Sequence, residues 1–175
     1  MLNFSRSLTL VLGGQRSGKS AYAEALIGEE TKALYVATAQ AFDEEMTARI
    51  ATHKKRRGSN WITLEEPFDL AAVVVANSGS SCPVLIDSLA AWVSNLIIGD
   101  KDVEKQTENF IDALRGIKSS FVIVSDEVGQ GIIPDNALAR RFIDALGKIN
   151  QLIAAQAETV VFVSAGLPRI LKGKE

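Results

Sequence analysis

Eight residues, Gly13-Gly14-Gln15-Arg16-Ser17-Gly18-Lys19-Ser20, follow directly on the apolar run Leu8 to Leu12 and open into a helix-patterned stretch, Lys19 to Leu26. They fit the pattern G-x-x-x-x-G-K-[ST], and a strand before it and a helix after it are the context in which that pattern cradles phosphate. Glycines let the loop wrap so that successive backbone N–H groups point inward, and the helix N-terminus adds partial positive charge. Lys19 is then placed to reach β and γ phosphate oxygens, and the Ser20 hydroxyl to hold Mg²⁺. The plainer alternative is a glycine-rich turn that binds nothing; the flanks on both sides favour the cradle.

A phosphate loop needs a sheet behind it, and the rest of the chain supplies one. Apolar runs at Leu34 to Ala37, Val84 to Ile86, Phe121 to Val124 and Thr159 to Val163 join Leu8 to Leu12 as five predicted strands, with Trp61 to Leu64 as a possible sixth at an edge. Their apolar residues are consecutive rather than alternating, as in strands covered on both faces. Between them lie helical patterns at Asp43 to Arg57, Phe68 to Ala76, Leu89 to Ile98, Val103 to Arg115 and Asn136 to Gln156. The alternation predicts an α/β, P-loop NTPase-like domain of three layers around a mainly parallel central sheet, with residues 1–175 forming one nucleotide-binding domain.

Composition narrows the function classes. With 47% hydrophobic and 23% charged residues the chain has the makings of a packed core rather than a disordered tract. Nineteen Lys and Arg against 21 Asp and Glu leave a net charge of −2, so no nucleic-acid partner is expected. Asp87 is the only charge from Leu70 to Gly99, but Asn77-Ser78-Gly79-Ser80-Ser81 divides that stretch, and no membrane insertion is expected. A lone cysteine, Cys82, and a lone histidine cannot make an internal disulfide or a structural zinc site, and the Met1 to Ser7 start lacks the regions of a signal peptide; both fit a cytoplasmic protein.

Two further features carry chemistry. In an open parallel sheet the C-terminal strand ends converge on the edge where the phosphate loop sits, so Asp87, Asp126 and Glu127 can each reach a bound nucleotide. Asp87 is favoured as the metal carboxylate; for Asp126, function and helix capping are equally good readings. The single histidine, His53, precedes Lys54-Lys55-Arg56-Arg57. Helical spacing with Met46 and Ile50 allows the ordinary reading, a histidine at the edge of an apolar stripe with a solvated basic helix end. A neutral imidazole is also a nucleophile for an α-phosphorus, and four neighbouring cations would stabilise the transferring and leaving phosphates.

The chain resembles the bifunctional adenosylcobinamide kinase/adenosylcobinamide-phosphate guanylyltransferase family of cobalamin biosynthesis. Beside the phosphate loop, the resemblance lies in Tyr35-Val36-Ala37-Thr38-Ala39-Gln40, Asp43-Glu44-Glu45-Met46 with Arg49-Ile50 and His53, and Trp61 with Leu64-Glu65-Glu66-Pro67. It continues through Leu85-Ile86-Asp87 with Trp92-Val93-Ser94-Asn95-Leu96, then Glu127-Val128-Gly129-Gln130-Gly131-Ile132-Ile133-Pro134. The last matching stretches are Leu138-Ala139-Arg140, Gly147, Asn150-Gln151 and Ser164-Ala165-Gly166-Leu167-Pro168. Two departures stand out: Asp126 where the family usually has Asn, and Ser88 where it usually has Cys.

The resemblance implies two reactions. One is phosphorylation of the aminopropanol hydroxyl of adenosylcobinamide by GTP or ATP. The other is transfer of GMP from GTP to the resulting phosphate through a guanylylated His53. It implies Lys19 as a second catalytic residue, nucleotide contacts from Gly13 to Ser20, Ala37, Thr38, Lys54 to Arg57, Glu65 and Asp87, and Mg²⁺ on Ser20 and Asp87. A homo-oligomer, specifically a trimer, is also implied. Against this stand a plain small-molecule kinase in which His53 is structural, and a nucleotide-binding regulator without turnover.

Overall fold

Strand β1 (Ser7–Gly13) owes its central place to its composition: residues 10–13 are all buried, which requires protein on both faces. In the computed structural model, which describes residues 7–28, 31–40, 58 and 60–173, it runs parallel between β5 (Ser120–Asp126) and β6 (Thr159–Ser164). The sheet continues outward from β5 through β4 (Val84–Asp87), β2 (Ala33–Ala37) and β3 (Trp61–Glu65). Beyond β6 lies β7 (Leu167–Lys172), and the order across all seven strands is β3-β2-β4-β5-β1-β6-β7. Every neighbouring pair is parallel except β6 and β7.

Helices cover both faces. α1 (Lys19–Ile27) seals one with Ala23 and Ile27, which pack among Val11, Tyr35, Leu85, Val122 and Val161. The opposite face carries α2 (Leu70–Asn77), α3 (Leu89–Ile98), α4 (Val103–Arg115) and α5 (Ala137–Gln156). Their Val74, Trp92, Phe110 and Ile149 pack with Leu10, Val36, Ile86 and Ile123 in the larger core cluster. Because successive residues of a strand point to opposite faces, Leu10 and Val11 serve different layers. The P-loop NTPase-like, three-layer expectation is therefore met, with the sheet parallel but for one strand.

The expected strands all form, each extended by one to three residues, and Trp61–Glu65 takes the edge position. Helix starts differ for a physical reason: Asp69 and Asn136 act as N-caps, Asp69 accepting from Ala72 N–H and Asn136 from Leu138 and Ala139 N–H. Their helices accordingly begin at Leu70 and Ala137 rather than at Phe68 and Asn136. The predicted helix from Asp43 to Arg57 lies outside the described residues. Sequence patterning gave no sign of β7, whose side chains are nearly all exposed and which contains Pro168; at the sheet edge neither feature is a penalty. Among the described residues no helix is long and apolar enough to cross a membrane.

Candidate active site

The phosphate loop is held open from below by close packing. A Cβ built on Gly13 would come within 2.5 Å of both Ser17 Oγ and the Val163 carbonyl, so no side chain fits where β1 turns into the loop. Gly18 has φ +96°, a left-handed conformation that glycine adopts without strain, and it starts α1. The far side of the loop is tied to the β6–β7 turn by Gly166 N–H, which donates to the Ser17 carbonyl at 2.8 Å. Thus the strand that sequence reading missed brings in the turn that braces the loop.

Lys19 sits at the first position of α1 with its side chain 10% exposed. Its ammonium donates to the Gly14 carbonyl at 3.1 Å and forms an ion pair with Asp126 Oδ1 at 2.7 Å. Strand order explains the pairing: β5 lies directly beside β1, Asp126 is in register with Gly13, and Glu127 N–H donates to the Gly13 carbonyl. A lysine so little exposed needs a counter-charge or strong acceptors, and both are present.

Asp87 ends β4, the strand beyond β5, in register with Ala37 of β2 and Val124 of β5. Its Oδ2 accepts a hydrogen bond from the Tyr35 hydroxyl at 3.0 Å, and the Tyr35 ring packs edge-on against Trp61. Thr38 is wholly buried and fully committed. Its hydroxyl donates to the Ser88 carbonyl and accepts from Ser88 N–H, while its own carbonyl accepts from Asn95. That network pins the end of β2 to the junction that follows Asp87. Glu65, exposed at the end of β3 beside Ala37, lies four strand spacings from β1, roughly 19 Å along the same edge.

The predicted site residues therefore split into two groups. Gly13 to Ser20 and Asp126 meet at β1 and β5, whereas Ala37, Thr38, Glu65 and Asp87 lie along the edge toward β3. His53 and Lys54 to Arg57 lie outside the described residues. Tyr35, which orients Asp87, and Asn150, which donates to the Asp126 carbonyl, were not singled out for these roles. Their partners lie across strands or on a distant helix, and no local spacing signals such contacts.

Among the described residues no three His, Cys, Asp or Glu side chains converge to hold a metal. Hydroxyl and carboxylate oxygens at Ser20 and Asp87 are hard donors suited to Mg²⁺, which is commonly held by one or two carboxylates together with substrate phosphates. The residues present fit a metal that arrives with a nucleotide.

A family model described as cobinamide kinase / cobinamide phosphate guanyltransferase matches residues 9–171. The chain is 42% identical over 168 residues to the bifunctional adenosylcobalamin biosynthesis protein CobP of Pseudomonas aeruginosa, covering 94% of this chain and 97% of that protein. It is 38% identical over 175 residues to the bifunctional adenosylcobalamin biosynthesis protein CobU of Escherichia coli, and equally to that of Salmonella typhimurium, with 91% of this chain and 97% of each relative covered.

Proposed function

The chain belongs to the cobinamide kinase/cobinamide phosphate guanyltransferase family, and from that premise we propose that it phosphorylates adenosylcobinamide and then guanylylates the product, using one triphosphate site for both. The observation that carries this reading is the Lys19 ammonium at the mouth of the glycine loop, held beside the ends of β1 and β5.

In the kinase step the loop N–H groups and Lys19 hold the β and γ phosphates of GTP or ATP in place. The aminopropanol hydroxyl oxygen bonds to the γ-phosphorus, the bond to the β–γ bridging oxygen breaks, and the hydroxyl proton leaves to solvent or a base. In the second reaction an imidazole nitrogen of His53 bonds to the α-phosphorus of GTP and pyrophosphate departs. The phosphate oxygen of cobinamide phosphate then displaces the imidazole, giving adenosylcobinamide-GDP and free His53. Lys54 to Arg57 stabilise the transferring and departing phosphates.

Ser20 and Asp87 would hold Mg²⁺, which would supply charge neutralisation on the phosphate oxygens. Tyr35 orients the Asp87 carboxylate, and Thr38 fixes the junction after it. Ala37 and Glu65 lie toward the nucleoside end of the edge. A cytoplasmic homo-oligomer completes the reading: so short a chain has little surface to enclose a corrinoid alone, which favours a site shared between subunits, and the family resemblance implies a trimer.

The test is incubation with α-labelled GTP. Acid-labile, base-stable label and a single GMP adduct at His53 by mass spectrometry are expected, with no adduct in His53→Ala. Cobinamide phosphorylation without any adduct would leave the plain kinase standing, and nucleotide binding without turnover the regulator.

A further inference from the structure

Gly147 occupies the middle of the 20-residue helix α5, where glycine weakens a helix relative to alanine. Nothing in the fold requires it, since a Cβ built there meets no atom within 4 Å. The space beside it is a cavity of about 300 Å³ between α5 and the turn that follows β5, walled by Glu127, Val128, Gly129, Gly147, Asn150 and other α5 residues. Asn150 is 6% exposed; its amide N–H donates to the Asp126 carbonyl at 3.1 Å, and its buried Oδ1 has no hydrogen-bond partner. A buried acceptor without a donor is uncommon in a folded protein and asks for an N–H or O–H from elsewhere.

The cavity adjoins the chemistry. Asp126, whose carbonyl Asn150 holds, is paired with Lys19, and Glu127 in the cavity wall donates its N–H to the Gly13 carbonyl that begins the phosphate loop. From this turn the chain runs on through Ile132 and Ile133, which are 97% and 77% exposed, and Arg140 ties the end of that loop to α5 through the Pro134 and Asp135 carbonyls. A largely apolar cavity, with one unused acceptor in its wall, thus lies beside an apolar, solvent-facing loop and the turn that carries Asp126 and Glu127.

Resting on the function proposed above, we infer that this cavity is the subsite for one edge of the corrinoid, receiving a peripheral primary carboxamide of cobinamide. An amide NH₂ supplies the donor that Asn150 Oδ1 lacks. A space of this size holds a side arm and not the macrocycle, whose apolar face would lie over Ile132 and Ile133. Gly147 is side-chain-free because the arm passes over that turn of α5.

The experiment is a steric series at Gly147, read by equilibrium dialysis of cobinamide without nucleotide and by steady-state kinetics. Gly147→Ala is expected to raise the melting temperature and weaken cobinamide binding a few-fold. Gly147→Leu is expected to fold and to weaken it at least tenfold, raising the KM for cobinamide in parallel and leaving the KM for GTP within twofold. Unchanged cobinamide affinity in a folded Gly147→Leu protein overturns the subsite, as does an altered sedimentation coefficient with affinity intact, which would make this face a contact between copies. Wild-type protein that binds cobinamide in a Gly147-sensitive way without phosphorylating it would support the subsite and overturn the kinase reading. A wild type that neither binds nor phosphorylates cobinamide overturns both.

Discussion

Two neighbouring parallel strands end in an aspartate at the same sheet edge, yet the two carboxylates live in different chemistry. Asp126, on the strand touching the phosphate loop, is 14% exposed and matched by the ammonium of Lys19. Asp87, one strand farther, is matched by the neutral hydroxyl of Tyr35. A carboxylate balanced by a phosphate-binding lysine must share that partner when phosphate arrives. One held only by a neutral donor keeps its charge available to a divalent cation. Position in the sheet, one strand over, separates the two environments and, on the proposed function, the two roles.

The largest expected effect comes from removing the cation that distinguishes the two. Lys19→Ala should lower both transfer rates by at least about 100-fold, roughly 2.7 kcal/mol of barrier. It should also destabilise the fold by roughly 1.5 kcal/mol, because the partly buried Asp126 loses its charged partner. Thermal melts of Lys19→Ala/Asp126→Asn should recover most of that stability, while activity assays show no recovery. If kinase and transferase respond independently to Lys19→Ala, the single shared nucleotide site is wrong.

Next in size is Asp87→Asn, for which the Mg²⁺ concentration at half-maximal rate should rise about tenfold or more, equivalent to at least ~1.4 kcal/mol. Asp126→Asn, assayed over the same Mg²⁺ titration, should change turnover by less than about tenfold. A large rise in Mg²⁺ requirement for Asp126→Asn with little change for Asp87→Asn would exchange the two assignments. The smallest effect belongs to Tyr35→Phe. Loss of its hydrogen bond to Asp87 should cost about 1 kcal/mol of stability in denaturant titration and raise the Mg²⁺ requirement only slightly.

The difference between the two aspartates could not be read from the sequence. Apolar runs ending in Asp87 and Asp126 placed both at C-terminal strand ends, because strand identity follows from local pattern. Which strand lies beside β1 is a matter of sheet order, settled by long-range packing of α3, α4 and α5 on one face and α1 on the other. The phosphate loop was fully legible, since its glycines, lysine and flanks are contiguous. Its brace at Gly166 was not, because β7 carries Pro168 and exposed side chains and so lacks the apolar signature of the inner strands. Thr38 shows a third limit: no local spacing signals that its hydroxyl bonds to the backbone of Ser88, fifty residues on.

The ion pair between Lys19 and Asp126 has a consequence for how a ligand is received. An exposed ammonium must shed its hydration shell when phosphate binds, but this one has already exchanged most of its water for a carboxylate and a carbonyl as the chain folded. On the proposed function, nucleotide binding at this end of the site would replace one anionic oxygen by another around a cation whose position is set beforehand. Such an exchange would demand little rearrangement of the lysine, and the displaced carboxylate would stand as a negative wall behind the phosphates, favouring nucleotides that enter already bound to a divalent cation.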